Sequence, residues 1–210
     1  MRLTEKYRPE SFDAVIGQDK ALSRLKRVIA LNWGGRAYWI TGASGTGKTT
    51  IARILAQMKA DSLYIVETVG RQLTVNYLKE LKHNWAYRPM VGTGQALIVN
   101  ESHGISKPVI EVLLGLIEDL PDNVIIVFTT TNDGNDLFEE NLDSSPFSSR
   151  CITVSLTVRK LCESMAKRAR EIADIEGLNG KPSEDYIKLL RKHHNNMRAV
   201  LNDIESGCML

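Results

Sequence analysis

Apolar residues follow two spacings along most of this chain and only one of them near its end. Short solid runs come first. Ala37-Tyr38-Trp39-Ile40, Ser62-Leu63-Tyr64-Ile65-Val66, Ala96-Leu97-Ile98-Val99, Asn123 to Thr129 and Cys151-Ile152-Thr153-Val154 have strand length, and the continuous apolar ones suit strands buried on both faces. Between them the apolar positions recur every three or four residues. Leu22, Leu25, Val28 and Ile29 predict a helix from Gln18 to Leu31, stopped by Gly34-Gly35. Thr50 to Ala56 and Thr74 to Asn84 read as further helices. Another starts at Ser106 as N-cap with Pro108 in its first turn, and Val109, Val112, Leu113, Leu116 and Ile117 form its stripe. Residues 1–17 read as an extended arm, because Arg8 precedes Pro9.

From Thr157 only helical spacing remains. One helix runs to Glu176 and stops at Gly177. The next opens at Pro182-Ser183-Glu184-Asp185, with Ser183 as N-cap and acids in its first turn. Asn195-Asn196 breaks it, and Met197 to Glu205 forms a third. Strands alternating with helices predict an α/β fold, a parallel sheet covered by helices on both faces in residues 1–155. A small all-helical domain follows in 156–210.

Composition narrows the function classes. The chain has 210 residues and a formal net charge of +2, from 27 Lys and Arg against 25 Asp and Glu. That balance excludes bulk attraction to nucleic acid, so any such contact needs a local patch. The apolar runs fall far short of the roughly 20 residues that cross a bilayer, and Met1 to Lys6 has no apolar signal core. Cys151, Cys162 and Cys208 are odd in number and too widely spaced for a zinc set. The expected location is cytoplasmic or another reduced intracellular compartment, with no membrane partner.

The chemistry concentrates where strands end. Gly42-Ala43-Ser44-Gly45-Thr46-Gly47-Lys48-Thr49 fits the phosphate-binding P-loop, two glycines four residues apart followed by Lys and Ser or Thr, between a strand and a helix. Bare N–H groups and the helix dipole there favour an anion. Lys48 would reach the β- and γ-phosphates and Thr49 would ligate Mg²⁺. Asn100 and Glu101 end the Ala96–Val99 run, at the sheet edge where open parallel sheets bind ligands. Glu101 fits the carboxylate that polarises an attacking water. Asn100 stands where a metal-holding Asp is expected and brings an acceptor oxygen without charge. Asn132, after Thr129-Thr130-Thr131, would orient that water or touch the γ-phosphate. Arg150, in Ser148-Ser149-Arg150-Cys151, would act as an arginine finger on a neighbour. Arg198 would reach the γ-phosphate from the helical segment. His103, His193 and His194 lack a third ligand at useful spacing and read as solvated or locally bonded.

Together these segments resemble the AAA+ ATPases, and within them the clamp-loader subunits, replication factor C small subunits and their bacterial gamma/tau relatives. Leu3-Thr4-Glu5-Lys6-Tyr7-Arg8-Pro9 and Phe12-Asp13-Ala14-Val15-Ile16-Gly17-Gln18 look like the N-terminal motif of that family. Gly42 to Thr49 matches its P-loop, Asn100-Glu101-Ser102-His103 its Walker B, and Asn132 its sensor 1. Ser149-Arg150-Cys151 matches its Ser-Arg-Cys motif, and Asn196 to Asn202 its sensor 2 helix. The resemblance implies ATP and Mg²⁺ as cofactors. Arg8, Val15 and Ile16 would sit by the adenine, the loop through Thr50 and Arg198 on the phosphates, and Thr49 and, through water, Asn100 on the metal. Implied partners are other clamp-loader subunits, a sliding clamp and primer–template DNA, with the helix from Ser106 to Glu118 on the clamp.

Three departures stand out. Asn100 replaces the Walker B Asp. No cysteine lies between P-loop and Walker B, so the bacterial zinc module is missing. The chain also stops at Leu210, where the family continues into a helical collar. The expectation is a fragment, a compact variant or a subunit assembled by another route. Two rival readings share the P-loop: a DNA-remodelling or helicase-loading ATPase, and a weakly hydrolysing subunit that uses ATP as a switch.

Overall fold

The computed structural model describes residues 1–31, 33–131, 145–157 and 161–210. Five strands form one parallel sheet in the order β2-β3-β4-β1-β5. They are β1 (Arg36–Thr41), β2 (Ile65–Val69), β3 (Gln95–Asn100), β4 (Val124–Thr130) and β5 (Cys151–Ser155). β1 pairs with β4 from Arg36↔Ile125 to Thr41↔Thr130 and with β5 from Ala37↔Cys151 to Thr41↔Ser155. All strands therefore end on one edge, and β2 and β5 are the outer strands.

Alternation sends successive side chains to opposite layers. Trp39, Leu97, Val99, Ile126 and Phe128 join α4 (Val75–Trp85) and α5 (Lys107–Glu118) in one apolar layer. A short helix α6 (Ser145–Arg150) adds Phe147, whose ring meets those of Trp39 and Phe128 edge-on. Tyr38, Ile40, Ile98, Ile125 and Val127 face the other layer, against α2 (Asp19–Leu31) and α3 (Lys48–Lys59). Tyr38 is fully buried, and its hydroxyl is satisfied by the Trp33 carbonyl at 2.9 Å. Burial pushes that phenol up to about 12.

A third cluster belongs to α7 (Cys162–Glu176), α8 (Ser183–Lys192) and α9 (Met197–Glu205), around Ala169, Ile172, Tyr186, Leu190, Val200 and Ile204. Gly177 closes α7 in the left-handed region. Leu3 is buried in this cluster, and Tyr7 and Ile16 pack on it. The N-terminal arm thus joins the helical segment to the sheet.

Several local expectations need correction. The arm is not extended throughout: Leu3–Lys6 forms a short helix α1, and Phe12–Ala14 a 3₁₀ turn. Burying Leu3 favours this, and the Arg2 carbonyl accepts from both Glu5 and Lys6 N–H at 3.0 Å. The run at 62–66 starts as a 3₁₀ turn, because the Asp61 carboxylate accepts the Leu63 N–H at 3.0 Å; β2 begins only at Ile65. Ser106 occupies the N-cap position of α5 without a side-chain cap. Pro108 has no N–H, and that of Val109 already goes to the Ser106 main-chain carbonyl. Ser183 is the first helical residue rather than the cap; Pro182 supplies the extended lead-in, and Arg170 of α7 binds the Ser183 hydroxyl.

Leu113 of α5 is fully buried against the sheet, whereas Leu63 is 78% exposed. Leu113→Ala should cost about 2–5 kcal/mol in urea unfolding. Leu63→Ala should stay within about 0.5 kcal/mol. Equal effects would contradict this placement of the core.

Candidate functional site

β1 leaves the sheet at Thr41, and the chain turns through Gly42–Gly47 into α3. Gly47, at φ +94, is the N-cap of α3 with no side-chain cap, and a Cβ there would meet nothing within 4 Å. The first turn of a 12-residue helix therefore presents uncapped N–H groups to open space. The loop is braced from inside, with Thr46 buried and its hydroxyl donating to the Ala43 carbonyl at 2.8 Å. Lys48 Nζ donates to the Gly42 and Ala43 carbonyls, both at 2.8 Å, leaving its third N–H for an anion. Burial, then the charge of Arg198, push the Lys48 ammonium down to about 8.

A cavity of about 580 Å³ lies between this loop, the arm and the helical segment. Ala14, Val15, Ile16, Met165, Ile172 and Leu201 give it an apolar side. Arg8, Arg168 and Arg198 give it positive charge, and Gly45, Thr46, Gly47 and Thr50 contribute the loop. That combination suits a flat apolar base joined to phosphates. Arg8 reaches the Thr50 hydroxyl at 3.5 Å and pairs with Glu5. The structure thus brings Arg8, Val15, Ile16, the loop and Arg198 together around one space.

Thr49 and Asn100 meet beneath the loop, where Thr49 Oγ1 donates to Asn100 Oδ1 at 3.1 Å. Thr129 Oγ1 donates to the same oxygen at 2.9 Å, and Asn100 Nδ2 donates to Glu67 Oε1 at 2.8 Å. Among the described residues no group of three His, Cys, Asp or Glu would hold a metal by itself. Mg²⁺ keeps water and phosphate oxygens and takes few protein ligands, so a hydroxyl and an amide beside a phosphate loop fit Mg²⁺ that arrives with a nucleotide.

Glu101 follows Asn100 at φ +50, a left-handed conformation unusual for Glu, with its side chain exposed at the same sheet edge. Gly70 is required beside it, because a Cβ there would stand 2.6 Å from the Glu101 carbonyl oxygen. Asn132 lies outside the described residues. His103 shares a hydrogen bond of 3.3 Å with Thr130, and His193 one of 2.7 Å with Asp203.

Arg150 ends α6 immediately before Cys151, which pairs with Ala37 near the start of β1. It therefore lies at the opposite sheet edge from the loop, a five-residue strand away, or about 17 Å. Its guanidinium is bound by Glu118 at the end of α5, through Nε at 2.7 Å and through a second nitrogen.

Two features escaped the sequence reading. Glu67 and its partner Arg53, joined at 2.8 and 3.1 Å, border the Thr49–Asn100 pair. Asn196, the N-cap of α9, rests on the loop: a Cβ on Gly45 would fall 2.0 Å from its Oδ1. The sequence marked Asn195-Asn196 as a break between helices, not as a cap or as a contact with the loop.

Residues 38–153 match the family model described as ATPase family associated with various cellular activities (AAA). DNA polymerase III subunit gamma of Buchnera aphidicola subsp. Baizongia pistaciae is 32% identical over 62% of this chain and 41% of its own length. The same subunit of Buchnera aphidicola subsp. Acyrthosiphon pisum is 26% identical over 99% of this chain and 62% of its own. DNA polymerase III subunit tau of Escherichia coli is 27% identical over 62% of this chain and 24% of its own. The chain spans less than two thirds of the length of these relatives. Among solved structures, the Thermotoga maritima RuvB Holliday junction branch migration motor superposes with a TM-score of 0.69 at 25% identity, covering 95% of this chain and 64% of that one.

Gly45→Ala would combine a positive-φ strain, at φ +77, with a collision against Asn196, together of order 1–3 kcal/mol. The expected result is faster amide hydrogen exchange in α9 while the sheet stays protected. Unchanged exchange in α9 would show that this helix does not depend on the loop.

Proposed function

The chain belongs to the AAA family of ATPases, and we propose that it is an ATP-dependent clamp-loader-like subunit that helps place a sliding clamp on primer–template DNA. The observation that carries this reading is the position of Arg150. An arginine in the Ser-Arg-Cys context that lies a strand length from its own P-loop supports a role on a nucleotide held by a neighbouring subunit. Similarity to gamma and tau subunits of DNA polymerase III supports the same choice.

In this reading ATP lies in the cavity with its base against Val15 and Ile16 and its phosphates on the loop from Gly42 to Thr50. Lys48 neutralises phosphate charge. Thr49 and, through water, Asn100 would hold Mg²⁺, which would supply positive charge to the phosphates. Glu101 orients a water for attack on the γ-phosphate, and Asn132 assists it. Arg198, in the cavity wall, ties the γ-phosphate to the helical lid, so occupancy changes the lid angle. Arg150 of one subunit completes the site of the next. α5 buries its apolar stripe in the core, so its clamp contact would use the exposed C-terminal end near Glu118.

A second reading, ATP as a switch rather than a fuel, is favoured by the uncharged Asn100. ATP turnover with and without primed DNA and clamp separates the readings. Stimulation by both supports a loader, stimulation by DNA alone a remodeller, and tight binding without turnover the switch.

Two substitutions test the assignments. Lys48→Ala should weaken ATP binding by at least about 100-fold, a loss of about 2.7 kcal/mol or more; unchanged affinity would remove the site from this loop. Arg150→Ala should lower turnover of the assembled subunits by about 10³-fold while the isolated chain keeps its nucleotide affinity. Equal turnover in the assembly would exclude Arg150 from the neighbouring site.

A further inference from the structure

An Asn where an Asp is expected at a metal-holding position removes a charge, and the structure shows what surrounds that amide. Asn100 ends β3 beside β2, where Val69 is its partner in register and Glu67 pairs with Ile98. Glu67 Oε1 accepts from Asn100 Nδ2 at 2.8 Å. A carboxylate only accepts, so the nitrogen of Asn100 has to face it and the oxygen has to face the other way. On that other side are the hydroxyls of Thr49 and Thr129, at 3.1 and 2.9 Å. Arg53 grips Glu67 with two nitrogens, Nε to Oε2 at 2.8 Å and a terminal nitrogen to Oε1 at 3.1 Å. Arg53 lies four residues after Thr49, on the same face of α3. Thr49, Asn100, Glu67 and Arg53 thus close a circuit between α3 and the strand ends.

We propose that Glu67 is a positioning residue for the metal side of the nucleotide site, and that the Asn100–Glu67 couple takes the place of a single carboxylate. Glu67 fixes the amide so that its oxygen is presented to Thr49 and to whatever Thr49 ligates, while Arg53 fixes Glu67. This rests on Thr49 and Asn100 being the Mg²⁺ side of an ATP site. It has a consequence opposite to simple repair of the motif. An Asp at position 100 would set a carboxylate oxygen about 2.8 Å from Glu67 Oε1, two acceptors with no proton between them. Glu67→Gln would restore a donor there, now pointing from strand β2 to β3. The same hydrogen bond would then form with its polarity reversed.

The test is binding of a fluorescent ATP analogue to the full chain, measured in Mg²⁺ and in EDTA, for wild type, Glu67→Gln, Asn100→Asp and the double variant. The readout is the ratio of the two affinities, which isolates the metal-dependent part. Asn100→Asp and Glu67→Gln should each lower that ratio about 10-fold, as expected for groups that orient a ligand. The double variant should return to within about 3-fold of wild type, a strong non-additivity. A ratio raised by Asn100→Asp alone, or losses that simply add in the double variant, would overturn the couple. Wild type that binds no nucleotide in either condition would overturn the site assignment instead, and wild type with equal affinity in both would remove the metal from it.

Discussion

Strand β1 is held between β4 and β5 within the sheet and between two apolar layers outside it, with Tyr38 and Ile40 at 0% exposure. Its end cannot shift without opening both layers, so the position of Thr41 is fixed to the accuracy of core packing. The phosphate loop inherits that fixity. Gly42 starts where the sheet stops, and α3 restarts regular structure at Lys48 with Ile51, Ala52, Ile54 and Leu55 buried behind it. A short loop anchored at both ends by buried elements keeps its N–H groups aimed without needing a ligand to order them. A loop of such glycine content would otherwise lose substantial conformational entropy on becoming ordered.

Everything else at the site approaches this loop and its helix through side-chain polar contacts. The arm reaches α3 through Arg8 and Thr50, the helical segment reaches the loop through Asn196, and β2 reaches α3 through Glu67 and Arg53. These are polar contacts at or near the surface, individually worth little. Leu3 adds the apolar tie, burying the arm in the same cluster as α7, α8 and α9. Arm and helical segment are therefore packed on each other as well as lining the same cavity. Lys48 contributes the electrostatic side of the site. Its ammonium is already partly desolvated and sits in the field of Arg198, so a polyanion in the cavity would relieve both cations at once.

The solid apolar runs made the sheet legible from the sequence, because a strand buried on both faces has to be apolar throughout. The P-loop was legible because its glycines and its Lys have fixed offsets. The failures share a cause: local side-chain bonds or burial elsewhere overrode a residue preference. Asp61 captured the Leu63 N–H and delayed β2, Arg170 took the Ser183 hydroxyl, and the distant helical cluster drew Leu3 into a helical turn. Glu67 was invisible for a different reason. Its meaning comes from the register of β2 against β3, and no spacing along the chain encodes which strand lies beside which. The contact of Asn196 with Gly45 joins residues 151 positions apart in the same silent way.

The sheet also imposes a direction on any assembly. In a parallel sheet each strand carries the chain from one edge to the other, so residues before a strand and after it are kept about 17 Å apart. Arg150 precedes β5 and the loop follows β1, its register neighbour, which places the two on opposite edges. No rotation of side chains closes that distance, since an extended Arg spans well under half of it. If Arg150 acts on a nucleotide, that nucleotide belongs to another subunit. The interface must then set the finger edge of one sheet against the loop edge of the next. Such a contact is head-to-tail, not two-fold symmetric. It generates a ring or a spiral, and Glu118, which binds Arg150 from the end of α5, lies in its path. Anything that engages the end of α5 therefore acts on a residue already bonded to Arg150.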